Sequence, residues 1–233
     1  MDLEIKQIME VAALKCGDRY TYNGKNVPRV TEIISKMIHE DAITQWANSL
    51  GFKHKSYTKT LNEAAVYGTH AHYGIECYLK KLPVPEETPG AIIGGFCKWW
   101  DVVTKNNTVK VLGQEHKLTC EWFGGTYDAL IEINGEPYLV DFKTSNHVTY
   151  KYYLQLAAYR YMLREKEKID PVGLIILQLS KQMPSYNEYV LNLKDPKQLE
   201  YIQICERTFF ALMYGYYHIH WLEAHFNEIT NNG

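Results

Sequence analysis

Apolar residues change their period along the chain, and the changes divide it into three stretches. From Val30 to about Leu50, from Thr58 to Leu82 and from about Ile92 to Lys105 they recur at helical spacing, which predicts three helices. The texture then shifts. Val109 to Thr119 alternates in part, while Thr126 to Ile133 and Tyr138 to Lys143 alternate clearly, as strands do. Helical spacing returns over Lys151 to Lys168. Val172 to Leu179 is a continuous apolar run suited to a central strand, Glu188 to Leu193 predicts another strand, and Pro196 to about Asn227 closes with helix. The expected fold is α/β: a mixed central β-sheet flanked by α-helices, with an N-terminal helical region. There is no internal repeat and no low-complexity linker, so residues 1–233 read as one domain. Within it, 1–107 is mainly helical, 108–194 carries the sheet and its helix, and 195–233 is the C-terminal helix.

Asn134-Gly135 separates the two clearest strands, and this dipeptide favours a type I′ turn because both positions need positive φ. Ile133 then pairs with Glu136. Each further pair keeps its two position numbers summing to 269, so Asp128 falls opposite Asp141 and Thr126 opposite Lys143. Opposed side chains have Cβ atoms roughly 4.5–5.5 Å apart, and two carboxylates there call for a proton or a cation between them. Alternation puts Asp141 and Lys143 on one face and directs Phe142 to the other, toward the core. Two acids beside an ammonium suit the hard ions Mg2+ or Mn2+, which promote phosphodiester hydrolysis by polarising the phosphate and lowering the pKa of a bound water. Lys143 would complement the developing negative charge. The competing account is a surface hairpin with scattered charges, and Pro137 in the second strand warns that the register could slip.

Composition narrows the classes further. Of 233 residues 46% are hydrophobic and 22% charged, which suits a substantial buried core rather than disorder. A net charge of -2 advertises no global basic field, so nucleic acid would have to use a local groove. The cysteines Cys16, Cys77, Cys97, Cys120 and Cys205 form no C-x-x-C pair, which argues for reduced thiols in a cytoplasmic setting rather than a zinc knuckle or disulfide framework. The start, Met1 to Lys6, has no apolar h-region, and no run of about 18 apolar residues occurs, so no membrane association is expected. No G-x-x-x-x-G-K-[ST] sequence is present; neither a bound nucleotide nor a fused motor is expected.

Several of these residues stand in a familiar order. Gly125-Thr126-Tyr127-Asp128, the gap of thirteen to Asp141-Phe142-Lys143, and Gln155-Leu156-Ala157-Ala158-Tyr159 resemble the PD-(D/E)XK nucleases of the RecB-like branch, which includes phage and mitochondrial DNA exonucleases. Val27-Pro28-Arg29-Val30-Thr31-Glu32-Ile33-Ile34 and Gly68-Thr69-His70-Ala71-His72 with Glu76 resemble the same branch, whose G-T-x-x-H motif supplies a metal-binding histidine. On that match the histidine is His72. His70 stands two residues away, about 200° round a helix, so at most one of the pair faces the metals. The resemblance covers roughly residues 27 to 160. It implies a restriction-endonuclease-like core in which His72, Asp128 and Asp141 bind one or two Mg2+ or Mn2+ ions, joined by the main-chain carbonyl of Phe142. Lys143 would position or activate the attacking water.

Other residues carry two readings each. Glu76, one turn after His72, orients the imidazole or binds metal, or else is a solvated helix charge. Glu115 sits on a strand leading to the hairpin, where the resembling family often has an acid near the metals. Gln155 and Tyr159 share a helix face; in that family the pair lies beside the active site and touches DNA or the lysine, against a reading as ordinary packing. Thr144 and Ser145 donate to a phosphate or cap the next turn. Tyr150, Tyr152 and Tyr153 flank Lys151, where bases of a single strand could stack, although packing explains most tyrosines. Only Cys205 lies in the last hundred residues, so the four-cysteine iron-sulfur cluster of some RecB-like nucleases is not expected. The implied function is an exonuclease acting on DNA ends or single-stranded segments in recombination, repair or replication, alongside proteins of those processes. The alternatives are a flap or branch endonuclease and an inactive DNA-binding module. By family analogy a small chain of this type fits a virus-encoded protein acting in the host cytoplasm.

Overall fold

The computed structural model describes residues 20–39 and 41–230; the expectations for Met1 to Lys6 and for Cys16 lie outside them. A short hairpin of β1 (Thr21–Tyr22) and β2 (Lys25–Asn26) turns at Asn23 and Gly24, both at positive φ. Helices α1 (Val30–Met37) and α2 (Asp41–Phe52) follow, where hydrophobic spacing predicts one helix from Val30 to about Leu50. That expectation is corrected at Ile38, which ends α1 in an extended conformation with its N–H still bonded to the Ile34 carbonyl. The Ile38 carbonyl that the break frees accepts a hydrogen bond from Lys151 Nζ at 2.9 Å. Helical spacing persists on both sides of the break, so the pattern alone does not reveal it.

Helix α3 (Tyr57–Leu79) begins at Ser56, whose hydroxyl caps the Lys59 N–H, and α4 (Gly90–Asn106) begins after Pro89. The sheet strands are β3 (Val109–Thr119), β4 (Gly124–Ile133), β5 (Glu136–Lys143), β6 (Gly173–Leu179) and β7 (Tyr186–Asn192). Between β5 and β6 runs α5 (Tyr150–Met162), continued by a π-helical turn over Leu163–Glu167. A long α6 (Pro196–Thr230) follows β7. The strands lie in sequence order, and every pair is antiparallel except β5 with β6, which α5 joins as a crossover. Every residue of β6 is buried, which is why it reads as an unbroken apolar run.

Both faces of the sheet are covered. On one, Leu130, Leu139, Leu174 and Ile176 pack with residues of α1, α5 and α6. On the other, Ile131, Val140, Phe142 and Leu177 pack with Ala71 and Ile75 of α3 and Phe96 and Trp99 of α4. Phe142 therefore faces a core as expected, and so does the opposite face of β5, at whose end Asp141 and Lys143 stand. The turn is as the dipeptide predicts, with Asn134 at φ 53° and Gly135 at φ 85°. Pairing runs from Ile133 with Glu136 to Ala129 with Val140, in the predicted register. Pro137 causes no slip because it occupies a non-hydrogen-bonded rung, with its carbonyl turned to the other side to accept from Val172 N at 2.9 Å. Cys77, Cys97, Cys120 and Cys205 are free thiols. Among the described residues no helix is long and apolar enough to cross a membrane.

Candidate active site

The β4–β5 ladder stops at Ala129 and Val140, one rung short of Asp128 and Asp141. Where the next backbone bond would form, the Phe142 N–H instead donates to Asp128 Oδ2 at 2.6 Å. The predicted pairing of Thr126 with Lys143 is therefore not made, and the Thr126 hydroxyl shares a hydrogen bond with Tyr20 at 2.8 Å. On the other side of β4, the pairs Gln114–Ala129 and His116–Tyr127 bracket Glu115, so Glu115 stands across from Asp128. Three acids from adjacent strands, Glu115, Asp128 and Asp141, thus occupy one level of the sheet. A bulge at Leu112 sets the register that brings Glu115 there. Glu115 itself has φ 44°, a left-handed backbone that glutamate rarely adopts and that re-aims its side chain.

His72 closes over this row from α3. Its Nδ1 lies 3.3 Å from Asp128 Oδ1 and 3.4 Å from Glu115 Oε1, and its ring meets Phe142 edge-on at 6.1 Å. One ligand atom from each of His72, Glu115 and Asp128 falls within 4.8 Å of the others. Burial disfavours the charged imidazole, but the Asp128 and Glu115 carboxylates outweigh it and raise His72 well above the ordinary histidine value. Burial likewise opposes ionisation of Asp128, and His72, Lys143 and the Phe142 N–H together overcome it and lower the carboxyl. The cleft above the cluster is also lined by Thr69, Tyr73 and Glu76. Glu76 pairs with Lys80, four residues on, and stands outside the tight cluster. His70 lines a separate depression with Lys59 and Tyr67.

Asp141 belongs to a second group. Lys143 Nζ donates to Asp141 Oδ1 at 3.0 Å and to Gln155 Oε1 at 3.1 Å. Gln155 Nε2 donates to Asp141 Oδ1 at 3.2 Å and to the Tyr159 hydroxyl at 3.1 Å. The Lys143 ammonium sits 4.5 Å from the centre of the Tyr152 ring. Asp141 Oδ2 is buried and 2.8 Å from Lys143 Nζ, yet the angle makes this a charge contact rather than a hydrogen bond. Burial pushes Asp141 up to about 6, with Lys143 pulling it down and Asp128 adding to the rise. Burial also opposes the Lys143 charge, but Asp141 and Asp128 prevail and raise its pKa, so it stays an ammonium. Gly125 makes room for this group: a Cβ there would lie 2.3 Å from Tyr159 Cε1.

Thr144 and Ser145 join neither group. The Ser145 hydroxyl donates to the His147 carbonyl at 3.0 Å and accepts from Tyr152 at 2.9 Å. Gln178, which sequence reasoning passed over, pairs in register with Lys143 from β6 and donates to the Ser145 carbonyl at 2.8 Å. Its signal was an amide inside an otherwise apolar strand.

Chemically, two carboxylates and an imidazole at this spacing match a divalent cation that accepts oxygen and nitrogen together, as Mn2+ does, or oxygen chiefly, as Mg2+ does. The proton held on His72 is what such an ion would displace. Comparisons with known proteins run alongside this geometry. No curated protein matches the chain. One solved structure, the crystal structure of SSO0001, is 15% identical, with a TM-score of 0.34 over 88% of this chain and 84% of that one. A family model described as the PD-(D/E)XK nuclease superfamily matches residues 94–214, more than half of the chain, and takes in Asp128, Asp141, Lys143 and the helix that supports them. With that match over a mixed sheet flanked by helices and ending in this row of acids, the chain belongs to the PD-(D/E)XK nuclease superfamily.

Proposed function

We propose that this nuclease is a Mg2+- or Mn2+-dependent exonuclease of the RecB-like branch that hydrolyses phosphodiester bonds from DNA ends, in recombination, repair or replication. The observation that carries the reading is a cation-collecting cluster centred on Asp128, beside a half-buried lysine braced by Asp141 and Gln155. His72, Glu115 and Asp128 would hold the ion. Asp141 would add its Oδ2, which meets only the Lys143 charge, and the Phe142 carbonyl, past the last rung of the ladder, would complete the set. When bound, the ion polarises the phosphate and lowers the pKa of the attacking water.

The protein's own groups do the rest. Lys143, held by Asp141, Gln155 and the Tyr152 ring, keeps its ammonium where it orients the water and complements charge developing on the phosphate. Tyr159 braces Gln155 and so acts through it. His72 would have to give up its proton to serve as a ligand. Incubation of the purified protein with end-labelled linear and closed circular DNA, in Mg2+, Mn2+ or EDTA and beside Lys143→Ala, tests the reading. Metal-dependent shortening of the linear DNA alone, lost in the variant, is the expected result. Cutting of the circle or of a flap junction would replace it with endonuclease action, and DNA retention without cleavage under every metal with a binding module.

A further inference from the structure

Beyond Lys143 the chain forms a second concavity that the metal cluster does not share. It is a cavity of about 180 Å3 between the segment that follows β5 and the turn from β6 to β7, lined by Thr144, Asn146, Gln178, Ser180, Lys181 and Asn187 among others. Thr144 follows Lys143 in the chain and Gln178 is the register partner of Lys143, so two of the cavity's lining residues neighbour the lysine along and across the sheet. The residues lining it include hydroxyls, amides and one ammonium, but no carboxylate.

Both walls are fixed by contacts. On the inner side Gln178 Nε2 holds the Ser145 carbonyl at 2.8 Å, while Gln178 Oε1 accepts from Asn187 at 3.2 Å and from the Tyr189 hydroxyl at 3.3 Å. On the outer side Lys98 Nζ donates to the Pro184 carbonyl at 2.7 Å. Helix α4 lets the turn come this close through Gly95, where a Cβ would meet the Ser185 carbonyl oxygen at 2.7 Å. Lys181 stands 5.1 Å from the centre of the Tyr67 ring. Thr144 and Asn146 make no side-chain hydrogen bond among the described residues, so their donors are uncommitted at a site whose surroundings are ordered.

We infer that this cavity takes the phosphate next to the scissile one on the strand being cut, with Lys181 supplying charge and Thr144 and Asn146 supplying donors. Donors gathered with a cation and without an acid recognise an anion, and phosphate contacts of this kind set a nucleic acid's position without reading its sequence. A base is the poorer occupant, because Tyr186, the aromatic residue lining the cavity, packs against the core beneath the sheet. The assignment rests on the nuclease reading above and adds a place for the neighbouring nucleotide.

The test is binding of short single-stranded oligonucleotides in the Lys143→Ala background, by fluorescence anisotropy, with and without Lys181→Ala or Asn146→Ala. Lys181→Ala should weaken binding several-fold and reduce the slope of log affinity against log salt by about 0.7. A single methylphosphonate walked along the oligonucleotide should erase that several-fold difference at one position beside the cleavage site, and Lys181→Arg should restore most of the affinity. A Lys181→Ala penalty that persists at every methylphosphonate position overturns the assignment, as does one erased only by an abasic nucleotide. If wild-type protein shortens linear DNA and no position couples to Lys181, the cavity alone loses its role. If wild-type protein neither binds nor cuts DNA, the nuclease reading falls first and takes the cavity with it.

Discussion

The two sides of Asp128 handle charge in opposite ways. Toward α3, His72 and Glu115 keep about a third of their side-chain surface open, at 29% and 31%, and a surplus of carboxylates is balanced by one imidazolium. Toward α5, Asp141 is 1% exposed and Lys143 16%, and each charged atom is met by a partner within the protein. On the proposed function, the first group would exchange a proton for a hydrated ion and needs water at its edge, whereas the second would hold one geometry and gains from excluding it. Asp128 belongs to both, receiving the Phe142 N–H on one oxygen and His72 on the other.

The sharpest way to break the comparison is to remove the shared residue. Asp128→Asn should abolish Mn2+ binding and cut DNA hydrolysis by on the order of 10^3-fold or more, the scale of losing a preorganised charge contact. Lys143→Ala should cost about 10^2- to 10^3-fold in turnover while leaving Mn2+ binding within a few-fold of wild type. Titration of Mn2+ by calorimetry, run beside the cleavage assay, separates the two. Equal loss of metal binding in both variants would merge the two sides into one network.

Glu115→Gln comes next in size. It removes an acid from the open side only, so metal affinity should fall about tenfold or more, equivalent to about 1.4 kcal/mol or more, and saturating metal should restore most of the cleavage. An unchanged metal dependence would mean that the row of acids ends functionally at Asp128.

The open side should also make the metal-free protein sensitive to alkali. The folded pKa of His72 lies above its ordinary value of 6.5, so the folded state holds that proton more tightly than the unfolded chain does. The stability it contributes is complete below 6.5 and is lost as pH rises through the raised folded value. In EDTA the Tm should therefore decline through that window for wild type and stay flatter for His72→Gln. Saturating Mn2+ should offset the decline because the ion replaces the proton. A wild-type profile in EDTA as flat as the variant's would show that His72 is not held charged.

How much of this was legible in the sequence follows the same division. The hairpin register was legible because Asn134-Gly135 sets it locally, and His72, Gln155 and Tyr159 were legible as a resemblance in order and spacing. The position of Glu115 was only half legible. Its strand could be read, but its aim depends on a bulge at Leu112 and a positive φ that neither residue type announces. Alternation put Lys143 beside Asp141 and the resemblance put Gln155 near the lysine, but the direct bond from Gln155 to Asp141 was not legible, because the α5 crossover, not the hairpin, brings Gln155 there. Gln178 depended on the parallel β5–β6 register, a contact between strands thirty residues apart in sequence that no local pattern encodes.

The smallest expected effect tests the buried side through its packing alone. Gly125→Ala introduces a Cβ that would sit 2.3 Å from Tyr159 Cε1, on the rigid edge of a ring that is 4% exposed. Relief requires the ring to move, and the Tyr159 hydroxyl moves with it, loosening Gln155 and through it the Lys143 ammonium. Overpacking of this kind costs about 1–3 kcal/mol, so Tm should drop by several degrees. Turnover should fall a few-fold at a temperature where the variant is still folded, with Mn2+ affinity changed far less because His72, Glu115 and Asp128 are untouched. Tyr159→Phe separates the two causes, since it removes the hydroxyl and keeps the ring: a few-fold loss of turnover with little change in Tm assigns the effect to Gln155. If Gly125→Ala lowers Tm and leaves turnover intact, Tyr159 is packing and nothing more, and Lys143 owes its position to Asp141 and Tyr152.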